Sequence, residues 1–264
     1  MLLMISERTA DLQGPRRIVG PGRTVGPRRT VVAARIGWTV VSAAVVQGLV
    51  CAAAVLPVVV IWSRLLAVLP PDGAIRLFAI SGAIIPSYVL FSLALMPVSA
   101  GVMRLTGWRT MPGVEMRIAD MDWQLLDWAR GMIGTHLVRF FSGPLFRGTP
   151  IWTAYLRMAG ARMGRRVYVN SLGVSDYNLL EFGDGVVIGA DVHLSGHTVE
   201  KGVVKTARVT LGRNVTIGLC SIVDIGVEIG DDAQVGAMSL VPKHTRLDGG
   251  LVYAGVPVKL LPTS

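Results

Sequence analysis

The chain holds four histidines in 264 residues, so few positions could move a proton near neutral pH. His197 follows Gly196 and precedes a polar stretch, EKGVVKTAR, which runs from Glu200 to Arg208 between Val199 and Val209. An imidazole there could take a proton from a hydroxyl or amine if a carboxylate held its tautomer. Asp176 and Asp191 are the candidates for that carboxylate, although Asp191 reads rather as a solvated corner residue, and His197 could itself be a corner histidine. His136 has no second ligand three or four residues away and reads as a packed or membrane-interface side chain. His193 and His197 are four apart, which shares a face on a helix but not on a six-residue repeat. With no third convergent histidine, no metal is expected. The two cysteines, Cys51 and Cys220, cannot form a disulfide framework, and both read as structural.

The elements that must hold His197 are visible as a repeat. From Leu211 the sequence reads LGRNVT, IGLCSI, VDIGVE, IGDDAQ, VGAMSL. An aliphatic residue opens each unit: Leu211, Ile217, Val223, Ile229 and Val235, with Val241 continuing the series. The fifth position is small or β-branched throughout: Val215, Ser221, Val227, Ala233 and Ser239. The same register appears upstream as FGDGVV, IGADVH and LSGHTV from Phe182 to Val199, and less clearly around Met163 and Val169. A period of six is too short for a helical repeat and fits one short strand plus a corner. Three units would then close a triangular coil around a narrow stacked core. On this pattern Glu200 to Arg208 is a loop thrown out from a corner, and VDIG at 223 to 226 is a departure from the rule.

The first half of the chain is different. At 52% hydrophobic and 16% charged residues the chain is too apolar for an ordinary soluble protein. Residues 1 to 166 carry 19 Arg against 7 acids, and residues 167 to 264 carry 7 Lys or Arg against 10 acids. The net charge of +9 therefore belongs to the apolar half, where Arg meets anionic headgroups. Without zinc-finger spacing or a basic face on the repeats, nucleic acid is not an expected partner. Residues 1–35 read as a disordered basic tail. Ile36 to Trp62 and Leu77 to Met103 are each 27 residues without a charge, longer than the roughly 20 needed to cross a bilayer. Pro57 and Pro86 would kink these helices, and Pro70 to Gly73 makes the turn between them. Residues 36–103 thus predict a transmembrane hairpin, with both chain ends cytoplasmic by the distribution of Arg. Residues 104–162 form an amphipathic linker, in which Met121, Leu125, Trp128, Met132, His136 and Phe140 share a helical face, with Arg130 mostly elsewhere.

The repeats resemble the hexapeptide-repeat acyltransferases over roughly residues 163 to 264, and YAGVPVKLL, from Tyr253 to Leu261, is similar to the segment that closes maltose and galactoside acetyltransferases. The lead-in from Gly148 to Asn170, GTPIWTAYLRMAGARMGRRVYVN, resembles the membrane-attached terminal domains of non-ribosomal peptide synthetases of the poly-lysine synthase type. The resemblance implies a mainly β fold, a left-handed parallel β-helix over 163–264 behind the hairpin and the amphipathic helices. It implies His197 as general base, with Asn170, from the element Tyr168-Val169-Asn170, near the acceptor; Asp176 is the candidate partner for the imidazole on its chemistry. A groove between coils would bind acetyl-CoA or another acyl-CoA, or a phosphopantetheine carrier instead, along Gly218, Ala237, Ser239 and Gly255, with Lys243 or Lys259 meeting phosphates. The expected protein is a multi-pass, trimeric membrane enzyme with a cytoplasmic catalytic domain. It would move an acetyl or aminoacyl group to a small-molecule, sugar or peptide acceptor at the lipid surface. A second reading is a membrane-anchored scaffold that docks a partner enzyme and has lost the site. The same fold houses zinc carbonic anhydrases, but the three-histidine set they need is not evident here.

Overall fold

The computed structural model describes residues 29–262. Two long helices come first, α1 at Arg29–Val68 and α2 at Ala74–Thr106, joined by a short turn before Gly73. Most of the tail expected over 1–35 lies outside the described residues, but Arg29 to Arg35 are the first turns of α1. They are so because a helix already nucleated by the apolar run extends cheaply through Val, Ala and Arg. Both helices run on through Pro57 and Pro86. They pair along their lengths, with Trp62 Nε1 donating to Ser87 Oγ at 2.7 Å. Their most apolar windows are only 11% and 6% buried, so nothing in the described chain covers them as it would cover core helices. Both are long and apolar enough to cross a membrane.

Helix α3, Trp123–Phe141, packs on both α1 and α2. Asp122 caps it, accepting from the Leu125 N–H at 2.9 Å. Its buried side corrects the sequence reading. Arg130, Gly131, Gly134, Thr135 and Val138 face inward, whereas His136 and Phe140 are exposed. The physical reason is close approach: a Cβ on Gly131 would lie 2.9 Å from the Trp108 carbonyl oxygen. Arg130 can be buried, at 3% exposure, because its donors are used. It bonds Asp127 at 2.5 Å, Ser42 at 3.0 Å and Thr39 at 3.2 Å, and it stacks on Trp108 and Trp123.

From Arg162 the chain winds as a parallel coil with three faces. From Thr210 on, hydrogen-bonded partners on neighbouring turns are 18 residues apart, as Thr216 is from Gln234 and Ile222 from Leu240, and in the first turns they are 19 or 20 apart. Every unit-opening residue from Leu211 to Val241 and every fifth-position residue from Val215 to Ser239 is buried. The corners explain VDIG. Asn214, Cys220, Asp232, Met238 and His244 all adopt positive φ at six-residue spacing, and Gly226 simply takes the same place. VDIG is therefore a regular unit with the residue best suited to a left-handed corner. Cys220, read as structural, sits exposed at such a corner.

Across the interruption the partner spacing rises to 29, as between Val187 and Thr216. The extra residues are not an open loop. His197–Glu200 and Val203–Thr206 pair as an antiparallel hairpin, and Glu115–Arg117 adds a third strand to it. The β-branched residues of VVKT alternate in burial and satisfy their backbone groups in pairs, which a loop would leave to water.

Candidate active site

His197 opens the hairpin, opposite Thr206. Its Nδ1 lies 2.5 Å from Asp176 Oδ2, the pairing anticipated from the residue types. Asp176 stands one coil earlier in a left-handed backbone conformation at φ 52°. That leaves no room beneath it: a Cβ on Gly196 would lie 2.9 Å from the Asp176 and Leu179 Cβ atoms. The glycine before His197 is thus what lets the carboxylate approach.

Asp176 is a saturated acceptor. Its Oδ1 accepts from Thr110 Oγ1 at 2.6 Å and Trp128 Nε1 at 3.2 Å. Its Oδ2 accepts from His197, with the Ser175 and Ser195 hydroxyls 3.3 Å and 3.4 Å away. Burial, the largest influence, pushes the carboxyl's pKa up. Hydrogen bonds from His197, Thr110 and Trp128 and the charge of the imidazole together outweigh it, and hold Asp176 below its usual value. The carboxylate side chain has no exposed surface, while the histidine's is 21% exposed. With Nδ1 turned to Asp176, Nε2 is the nitrogen left to exchange a proton, the tautomer being assigned from this contact. The Trp128 ring meets the imidazole edge-on, with centroids 5.0 Å apart.

Thr110 and Trp128 come from the helical half and were not found from the sequence, because 66 and 48 residues separate them from Asp176. Ser195 lies inside the quoted unit LSGHTV and was also missed. Its hydroxyl donates to the His197 carbonyl at 2.9 Å and accepts from its N–H at 3.2 Å. The Ser175 to Ser195 contact at 3.0 Å joins neighbouring turns 20 residues apart, off the 18-residue period, so the six-residue register does not disclose it.

The other nominated residues are elsewhere. Asn170 is not among the partners of His197: its N–H bonds the Ile188 carbonyl at 3.0 Å and its amide faces Gly148. Asp191 is exposed and paired with Arg147 at 3.0 Å, the corner role expected of it. Ser239 does not present its side chain to a groove. It is buried, and its hydroxyl accepts from the Gly255 N–H at 3.1 Å, because small polar fifth positions face into the coil. Lys243 is not free for phosphate either, since its ammonium pairs with Glu200 of the hairpin. Gly218 does mark a close approach, its missing Cβ leaving room for the Ala237 backbone on the next coil. Ala237, Gly255 and Lys259 are exposed.

No protein-family model matches the chain. It is 25% identical over 160 residues to the delta-poly-L-ornithine synthetase of Acinetobacter baumannii, covering 59% of this chain and 12% of that protein. It is 33% identical over 120 residues to the galactoside O-acetyltransferase of Escherichia coli, covering 42% of this chain and 57% of that one. The chain thus spans little more than half of the one relative and a small part of the other. Among solved structures, a galactoside acetyltransferase in complex with coenzyme A is 24% identical, covering 57% of this chain and 86% of that one at a TM-score of 0.42. A maltose O-acetyltransferase from Clostridium difficile is 18% identical, covering 58% and 97%, at 0.39. By its sequence relatives and its six-residue coil, the chain is similar to hexapeptide-repeat acetyltransferases and to part of the poly-ornithine synthetase.

Proposed function

We propose that the protein is a membrane-anchored acyltransferase in which His197 is the general base and Asp176 its positioning partner. The observation that carries this reading is the buried Asp176–His197 pair at 2.5 Å. A carboxylate holding Nδ1–H leaves the Nε2 lone pair ready for an acceptor hydroxyl or amine. Nε2 takes that proton as the acceptor attacks the thioester carbonyl. The C–S bond then breaks, and the proton returns to the departing thiolate, so no covalent enzyme intermediate is needed. The donor is an acyl-CoA, or a carrier-bound phosphopantetheine thioester. It would bind in the inter-coil groove, with Gly218, Ala237 and Gly255 allowing close approach and Lys259 near the phosphates. The coil is left-handed, residues 163–264 are the catalytic domain, and active sites lie between the subunits of a trimer. The helical hairpin crosses the cell membrane, and the catalytic domain is cytoplasmic.

The same pair weighs against the scaffold reading, for which His197 would be packed away. The test is calorimetry of the detergent-solubilised protein with coenzyme A, acetyl-CoA and a phosphopantetheinylated carrier protein. Binding of either thiol class is expected, and binding of none would favour the scaffold. His197→Ala should fold and lose transfer by roughly 100-fold or more. Unchanged transfer would remove His197 from the mechanism.

A further inference from the structure

A cavity of about 910 Å³ opens where α2, α3 and the coil meet. Four arginines line it: Arg104 from the last turn of α2, Arg109 from the segment after it, Arg162 from the first coil strand, and Arg208 from just past the hairpin. Guanidinium groups gathered from four separate elements need anions to hold them together. Glu181 answers two of them, 2.9 Å from Arg162 and 2.5 Å from Arg208. Asp176, the carboxylate on the cavity wall, is engaged by His197. Among the described residues no carboxylate pairs with Arg104 or Arg109, and Arg104 donates only to the Arg157 carbonyl at 3.4 Å.

The ligand this surface fits is therefore an anion with several oxygens, and planar guanidinium forks match phosphate best. The rest of the wall includes Met103, Met111 and Met132, apolar side chains able to meet an aliphatic chain. Arg104 follows directly on the uncharged run of α2, and Leu105 beside it is exposed. This is the depth at which a spanning α2 would meet the headgroup layer. Asp176 lines the cavity and pairs with His197, whose own ring is not among the lining residues.

We propose that the cavity holds the phosphate or diphosphate of a lipid-borne acceptor, which presents its hydroxyl or amine beside the Asp176–His197 pair from the membrane side. The acceptor role rests on the transferase reading, whereas the phosphate site does not. The probe is phosphatidic acid in mixed detergent micelles, titrated against the full-length protein and read by intrinsic tryptophan fluorescence. Saturable binding is expected, with phosphatidylcholine inert. R104Q/R109Q should weaken it at least roughly tenfold, and R104K/R109K should lose less. R64Q/R76Q, at the far end of the hairpin, should leave it unchanged.

Equal binding by R104Q/R109Q would overturn the site, and so would equal loss in R64Q/R76Q, which would mean general attraction to anionic lipid. Glucose 1-phosphate binding as tightly as phosphatidic acid would overturn the lipid source in favour of a soluble phosphate. Displacement of phosphatidic acid by coenzyme A would assign the phosphates to the donor and overturn the acceptor role. Because binding is read without turnover, a failed transferase reading would show as lost transfer beside intact phosphatidic acid binding.

Discussion

Asp176 is ionised although it is buried, and this fixes how acid should act on the protein. Its carboxyl pKa is lower when folded than in an unfolded chain. Its contribution to stability is therefore complete above the unfolded value, about pH 4, and is lost as pH falls through the lower folded value. Thermal unfolding of the detergent-solubilised protein should show a fall below about pH 4 that is shallower in Asp176→Asn. The same variant should lower kcat by roughly 100-fold or more and alter the pH profile while leaving KM for the thioester nearly unchanged, because an amide no longer dictates the tautomer. Trp128→Phe keeps a ring against His197 and removes one donor to Asp176. A loss of roughly threefold to tenfold in kcat is expected, matching one hydrogen bond, and no loss would limit Trp128 to packing.

The coil's elements are strands of two or three residues, so stability rests on stacking between turns and not on any one strand. Ile217→Ala removes a fully buried side chain and should cost about 2–5 kcal/mol, measured by denaturant unfolding in detergent. Corners obey a different rule. Met238 is 72% exposed at φ 56°, where a long side chain gains no packing and pays for a left-handed backbone. Met238→Asn should stabilise by about 0.5–1 kcal/mol, and destabilisation would mean that the side chain has a partner in the assembled protein. Gly196→Ala tests the turn beneath the site, since its Cβ would press on Asp176. It should reduce transfer by at least roughly tenfold with the coil otherwise intact by circular dichroism.

At the scale of the whole molecule, the two halves are not an anchor tied to an enzyme. The helical half supplies Thr110 and Trp128 to Asp176, and the strand Glu115–Arg117 extends the hairpin that begins with His197. Buried Arg130 seats α1 on α3 through Thr39 and Ser42, and Trp128 is on that same helix. In the orientation proposed above, the hairpin leaves Cys220, exposed on the coil, on the cytoplasmic side. A membrane-impermeant maleimide should label it in opened cells and not in intact ones, and labelling of intact cells would reverse the proposed orientation.

The coil and its register could be read from the chain because each six-residue unit repeats one local environment: an aliphatic residue inside, a small one at the fifth position, and a corner that tolerates positive φ. The apolar helices were legible for a similar reason, since 27 uncharged residues have few other uses. His197 and Asp176 could be nominated together, as imidazole and carboxylate are chemically matched and lie about one coil apart. The hairpin after His197, the inward turn of Arg130, and the approach of Thr110 and Trp128 to Asp176 depend on contacts between distant segments. So does the gathering of four arginines at one cavity. Spacing along the chain carries no record of such contacts, and only the packing of the helical half against the coil decided them.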